Sequence, residues 1–159
     1  MLDVIFALKF IHVLAVAAMF GVWLCLVLVM LLGHRSGNPS IIAVTTQFVV
    51  NIEKVVMVGA IAAQPLSGFP LAWAIGLSPL NEFWTLVSLG LYAAIVGCWA
   101  AAFRIEERIR SLSRRAALDG AELPADYPRL FRIWSALAAI VLMAMTVAVA
   151  VMIWQPRLD

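Results

Sequence analysis

The stretch VIFALKFIHVLAVAAMFGVWLCLVLVMLL, residues 4–32, decides the fold. It exceeds the about 20 apolar residues that carry an α-helix across a bilayer. No basic segment precedes it, and AVAA at residues 15–18 runs on into further apolar sequence. It therefore reads as a retained membrane helix, not a cleaved leader. His12 sits in its first third. An ionisable ring is costly in hydrocarbon, so it tends to face a bundle interior and mark a site.

Three further apolar runs follow, at residues 55–75, 83–103 and 133–154. The chain of 159 residues is 65% hydrophobic and 13% charged, against roughly 25% charged in soluble domains. The expectation is an all-α, polytopic membrane four-helix bundle forming one domain over residues 1–159. Arg104, Arg108, Arg110, Arg114, Arg115, Arg129 and Arg132 surround the third connection, Arg35 lies in the first, and the second has no Lys or Arg. The positive-inside rule then places the first and third connections in the cytoplasm and both termini outside. The net charge of +2 is thus a topological signal. It calls for a lipid bilayer and no nucleic acid.

The connections are legible as well. Gly33 reads as a C-cap, Gly37-Asn38-Pro39 as a turn, and Ser40 as the cap of the next helix. Residues 41–54 read as a cytoplasmic extension of the second helix that brings Glu53 and Lys54 to the membrane edge. RIEERIRSLSRRAALDG, from Arg104, reads as a similar extension of the third helix, ending at Asp119-Gly120. His34, beside Arg35, reads as a cationic helix end. Cys25 and Cys98, far from any CxxC spacing, read as small buried apolar residues. Gly90, Ala94, Cys98 and Ala102 recur every four residues, a small-residue stripe suited to close helix packing.

Counting back equally from each connection puts His12 level with Gln64, Gln64 level with Tyr92, and Tyr92 between Met143 and Met145. A second layer joins Glu53, Lys54, Arg104 and Arg132 as a charged collar. Pro65 removes a helix hydrogen bond and frees a carbonyl, which, like the Gln64 side chain, is a candidate partner for His12. Haem b suits this set, since its iron takes an axial His with Met, Tyr or an open position opposite. His12 would be the metal ligand, with Met143, Met145 or Tyr92 opposite. Gln64 would shape the site, and Arg104 and Arg132 would face the propionates. A scaffold or accessory subunit, packing on itself or on a membrane partner through small residues, is the alternative. Copper bound by His12 and methionine thioethers is the third reading.

The segments LKFIHVLAVAAMFG, HRSGNP, QPLSG, LYAAIVGCW and YPRLFRIWSALA resemble a bacterial family of four-span membrane proteins catalogued as a domain of unknown function. The likeness covers almost the whole chain and implies the bacterial inner membrane. More distantly, Lys9, His12, Phe20 and Gly21, with His34 and Ile52-Glu53-Lys54, are similar to the four-helix non-flavin protoporphyrinogen IX oxidases. That resemblance implies a haem ligand or essential residue at His12 and a membrane oxidoreductase. The chain departs from it at Phe83–Val87, which lacks the basic residue of that family's third helix.

Overall fold

A computed structural model describes residues 2–156. Helix α1 spans Leu2–Arg35 and α2 spans Pro39–Ile52. A π-helical turn, Glu53–Met57, joins α2 to α3 at Val58–Ala74, followed by α4 at Phe83–Asp119 and α5 at Tyr127–Trp154. Because α2, the π turn and α3 run on without a break, the chain forms four rods, each long and apolar enough to cross a membrane. The described residues contain no strand.

Local chemistry sets the rod ends. Gly37, Gly76 and Gly120 all take positive φ, the left-handed conformation that glycine adopts without steric cost. Asn38, not Ser40, caps α2: its side chain accepts from the Ser40 N–H at 2.9 Å, with Pro39 in the first turn. Gly33 is not a C-cap either, for α1 runs on to Arg35. It is buried, and a Cβ there would collide with Oγ1 of Thr45 on the next rod. A side chain at Gly33 would therefore hold the first two rods apart.

The 37 residues of α4 give a rod of about 55 Å, against a hydrocarbon core of about 30 Å. Its apolar part ends near Phe103, so the remainder, rich in arginine, projects from one end of the bundle beside α2. This matches the helix extensions expected from the sequence. Helix α2 packs on α4, α3 packs on α1, and α4 packs on α5 along its length, with a smaller α1–α5 contact. A π turn holds one residue more than an α turn and rotates the face that follows it. The second rod thus packs on α4 before the turn and lies against α1 on both sides of it.

The bundle is apolar outside along its spans, and its apolar core encloses several polar groups. Phe6, Phe10, Val55, Leu66 and Ile153 are exposed, as lipid-facing side chains would be, while Thr46, Glu53, Gln64, Ser67, Ser88, Glu106 and Ser113 are buried. The hydroxyls donate to carbonyls four residues back, Thr46 to Ile42, Ser67 to Ala63, Ser88 to Trp84 and Ser113 to Ile109. Each thus carries its own hydrogen-bond partner into the interior. Trp23 and Trp134 are the largest fully buried side chains, and the Trp23 indole N–H donates to the Ala138 carbonyl at 3.4 Å.

Two packing expectations are corrected. Gly90 and Ala94 lie on the outer surface of α4, with Cys98 half-buried and Ala102 buried in the core, so only one half of the small-residue stripe lines a contact within the chain. Cys25 is exposed and Cys98 intermediate. A residue flanked by buried Trp23 and Leu26 on a narrow core stripe turns outward whatever its own polarity.

Candidate functional site around His12

His12 is half-buried between α1 and α3, and its ring lies against Gly68, where a Cβ would come within 3.0 Å of Cε1. The glycine is what lets the imidazole reach the backbone of α3. Nδ1 of His12 is 3.1 Å from Oγ of Ser67. The Ser67 hydroxyl proton is committed to the Ala63 carbonyl at 2.6 Å, so the serine oxygen is left as an acceptor. With that oxygen as acceptor His12 donates from Nδ1–H, and in this tautomer the lone pair is on Nε2. That tautomer is the one in which Nε2 can ligate a metal, with Ser67 orienting the ring.

Gln64 is buried beside it, but its side-chain N–H donates to the backbone carbonyl of His12 at 3.2 Å rather than to the ring. The amide pins α1 to α3 at this depth. Counting from the connections thus places His12 and Gln64 together, as expected, and misses Ser67. The i, i+3 spacing of Gln64 and Ser67 was the available signal, because both then lie on one face.

Pro65 has no N–H for the carbonyl of Ile61, four residues earlier. The Tyr92 hydroxyl on α4 donates to that carbonyl at 2.7 Å. The orphan created by the proline is therefore taken by Tyr92, and not by His12 or Gln64. A double-mutant cycle checks the pairing. Tyr92→Phe strands a buried carbonyl and should cost about 1–3 kcal/mol. The same change in a Pro65→Ala background should cost little, because the introduced alanine supplies the missing N–H. Equal costs in both backgrounds, measured by unfolding in detergent, would dissociate the two residues.

The remaining expected ligands separate. Met145 is buried in the core, whereas Met143 is exposed on the opposite side of α5. Arg104 and Arg132 both point outward, so neither reaches a group inside the bundle. They flank Glu106 and Trp134, the residues that hold the inward face of α4 and α5 at this level. The expected collar divides accordingly. Lys54 lies 5.6 Å over the Phe103 ring and 3.1 Å from Glu107 at the surface, while Glu53 is fully buried.

His34 is not a free cationic end. Its ring stacks on Phe131 at 3.7 Å between centroids, and its Nδ1 lies 3.0 Å from the Tyr127 hydroxyl. This ties the end of α1 to the start of α5. Both contacts hold the ring at the end of α1, away from the depth of His12.

Glu106, within the segment whose sequence reads as a charged helix extension, is also fully buried. Its Oε1 accepts from the Trp134 indole N–H at 2.6 Å. The signal lies in the spacing: Ala102, Ile109, Ser113 and Ala116 form the buried stripe of α4, and Glu106 falls on it at steps of four and three.

The sequence model of one family, described as a predicted integral membrane protein (DUF2269), matches residues 6–156. No curated protein and no solved structure matches the chain, so the more distant likeness to the non-flavin oxidases gains no support from them.

Proposed function

The chain belongs to the DUF2269 family of predicted integral membrane proteins, and from that premise we propose that it binds haem b through His12 and acts in electron transfer or tetrapyrrole redox chemistry. One observation supports this reading above the rest. The Ser67 hydroxyl has the Ala63 carbonyl as a short acceptor at 2.6 Å, which favours the His12 tautomer that donates from Nδ1–H to Ser67 and keeps the lone pair on Nε2.

The residues present would hold the group through the His12 imidazole, a nitrogen donor that suits haem iron. Met145 is the thioether that the interior retains. The set does not fit ligation by Met143 or propionates held by Arg104 and Arg132, since these side chains lie outside. Haem, when bound, supplies one-electron chemistry at iron. The chain's own contribution is to orient the imidazole through Ser67 and exclude water with the surrounding apolar helices. Copper, on a cluster of His12 and methionines, fits less well, because Met143 faces away. The absorption spectrum of the purified protein is the test: a Soret band that copurifies supports haem, and colourless protein from haem-replete cells rejects it.

A scaffold role is the second reading, favoured by the exposed glycine-containing face of α4. Gly90, Ala94 and Gly97 turn outward, which would let a second copy or a partner subunit approach closely.

The arginine-rich end would face the cytoplasm of a bacterial inner membrane. Reporter fusions after Gly37 and Gly120 should then score as cytoplasmic, and a fusion at Ser78 as periplasmic. A periplasmic score at Gly120 would invert the orientation.

A further inference from the structure

The interior of the bundle holds two carboxyl groups that the His12 site does not use. Glu53, in the π turn, and Glu106, on α4, are both fully buried and face one another. Both oxygens of Glu53, Oε2 of Glu106 and the indole nitrogen of Trp99 are buried with no hydrogen-bond partner among the described residues. Oε1 of Glu106 is the exception, accepting the short bond from Trp134. Native interiors rarely leave so many polar atoms unpaired at one point.

No cation among the described residues answers them. From the π turn, Lys54 turns out to Glu107 at the surface, and Arg110 of α4 reaches toward Glu107 and Gln47. Arg104 and Arg108 of α4 and Arg132 of α5 are exposed. The buried side chains of α1, among them Trp23, Leu26 and Met30, carry no charge. From α2, Thr46, Val49 and Val50 complete the uncharged surroundings. Two negative charges facing each other in a medium of low dielectric repel strongly, and neither has a cation to stabilise it.

We propose that Glu53 and Glu106 form a proton-binding site. One proton taken from water converts two facing carboxylates into a carboxylic acid bonded to a carboxylate, and its release regenerates them. The two side chains are not equivalent. A short indole N–H bond stabilises the charged form of Glu106, so Glu106 is the carboxylate and Glu53 holds the proton, donating it to Oε2 of Glu106. The π turn widens the backbone where Glu53 enters, and such turns recur at functional sites. The site stands independently of any cofactor at His12. It lies where the rods leave the apolar spans, next to the arginine-rich end.

Infrared spectroscopy of the full-length protein in lipid nanodiscs tests this. A carbonyl stretch from a protonated carboxylic acid, identified by its downshift in deuterated water, should be present at neutral pH, where exposed glutamates are ionised. Glu53→Gln should remove it and still fold, because the new amide can donate to Glu106. Glu107→Gln should leave it in place. Absence of the band in the wild type would overturn the proposal, and sodium- or potassium-dependent thermal stability in that case would mark a cation site instead. Survival of the band in Glu53→Gln would overturn the assignment of the proton. Should that variant fail to accumulate, Glu53→Asp must shift the band, and an unshifted band would count against Glu53.

Discussion

His12→Ala is expected to yield protein that inserts normally and has lost its Soret absorbance completely. Insertion should persist because the change removes a costly polar ring from a hydrocarbon span. Ligation should vanish because no second imidazole lies at that depth, His34 being engaged by Phe131 and Tyr127 at the far end of α1. Ser67→Ala separates the tautomer from the ligand. It keeps His12 but frees Nδ1, and loss of such an orienting partner weakens metal binding by about 10–100-fold. His34→Ala should leave the spectrum unchanged while loosening the α1–α5 contact. Full haem content in purified His12→Ala would place the ligand elsewhere.

Gly33→Val should be the most damaging single substitution at a helix contact. The added Cβ would overlap Oγ1 of Thr45 and come within 3.1 Å of its Cβ. Thr45 cannot simply swing away: it is β-branched, hence stiff at χ1, and its hydroxyl already donates to the carbonyls of Ile41 and Ile42. The first two rods must therefore separate, at a cost of about 1–3 kcal/mol or more for overpacking. A lowered midpoint of thermal unfolding in detergent reads this out. Adding Thr45→Ala should recover much of the loss caused by Gly33→Ala, whose side chain is a single methyl, and less of that caused by Gly33→Val. Identical midpoints for wild type and Gly33→Val would show that the two rods do not approach here in the folded protein.

The helical rods were legible because a bilayer reduces their design to length and hydrophobicity. A run of apolar residues long enough to span must be helical there, since only a helix satisfies its own backbone. The helix extensions followed from mixed charged segments flanked by turn residues, and Gly120 ends α4 in the left-handed conformation, as its place after Asp119 suggested. The pairing of His12 with Gln64 was legible as well, because a constant rise per residue makes depth countable from each turn.

Depth is one coordinate, and azimuth is the other. Counting placed Met143 and Met145 at equal depth with Tyr92, yet two residues on an α-helix point about 200° apart, so one faces the core and the other the outside. The same rotation sent Arg104 and Arg132 outward and Glu106 inward. It was altered again at Glu53–Met57, where the π turn changes the phase of the second rod. No local sequence signal announces such a turn. By itself the sequence determined the four rods and the shared level of His12 and Gln64, because these depend on the composition of each rod and on counting along it. Only the tertiary structure decided that Ser67 orients His12, that Tyr92 serves the carbonyl left by Pro65, and that Glu53 meets Glu106. Each of those depends on how far one helix is rotated against its neighbour, and packing between helices sets that angle.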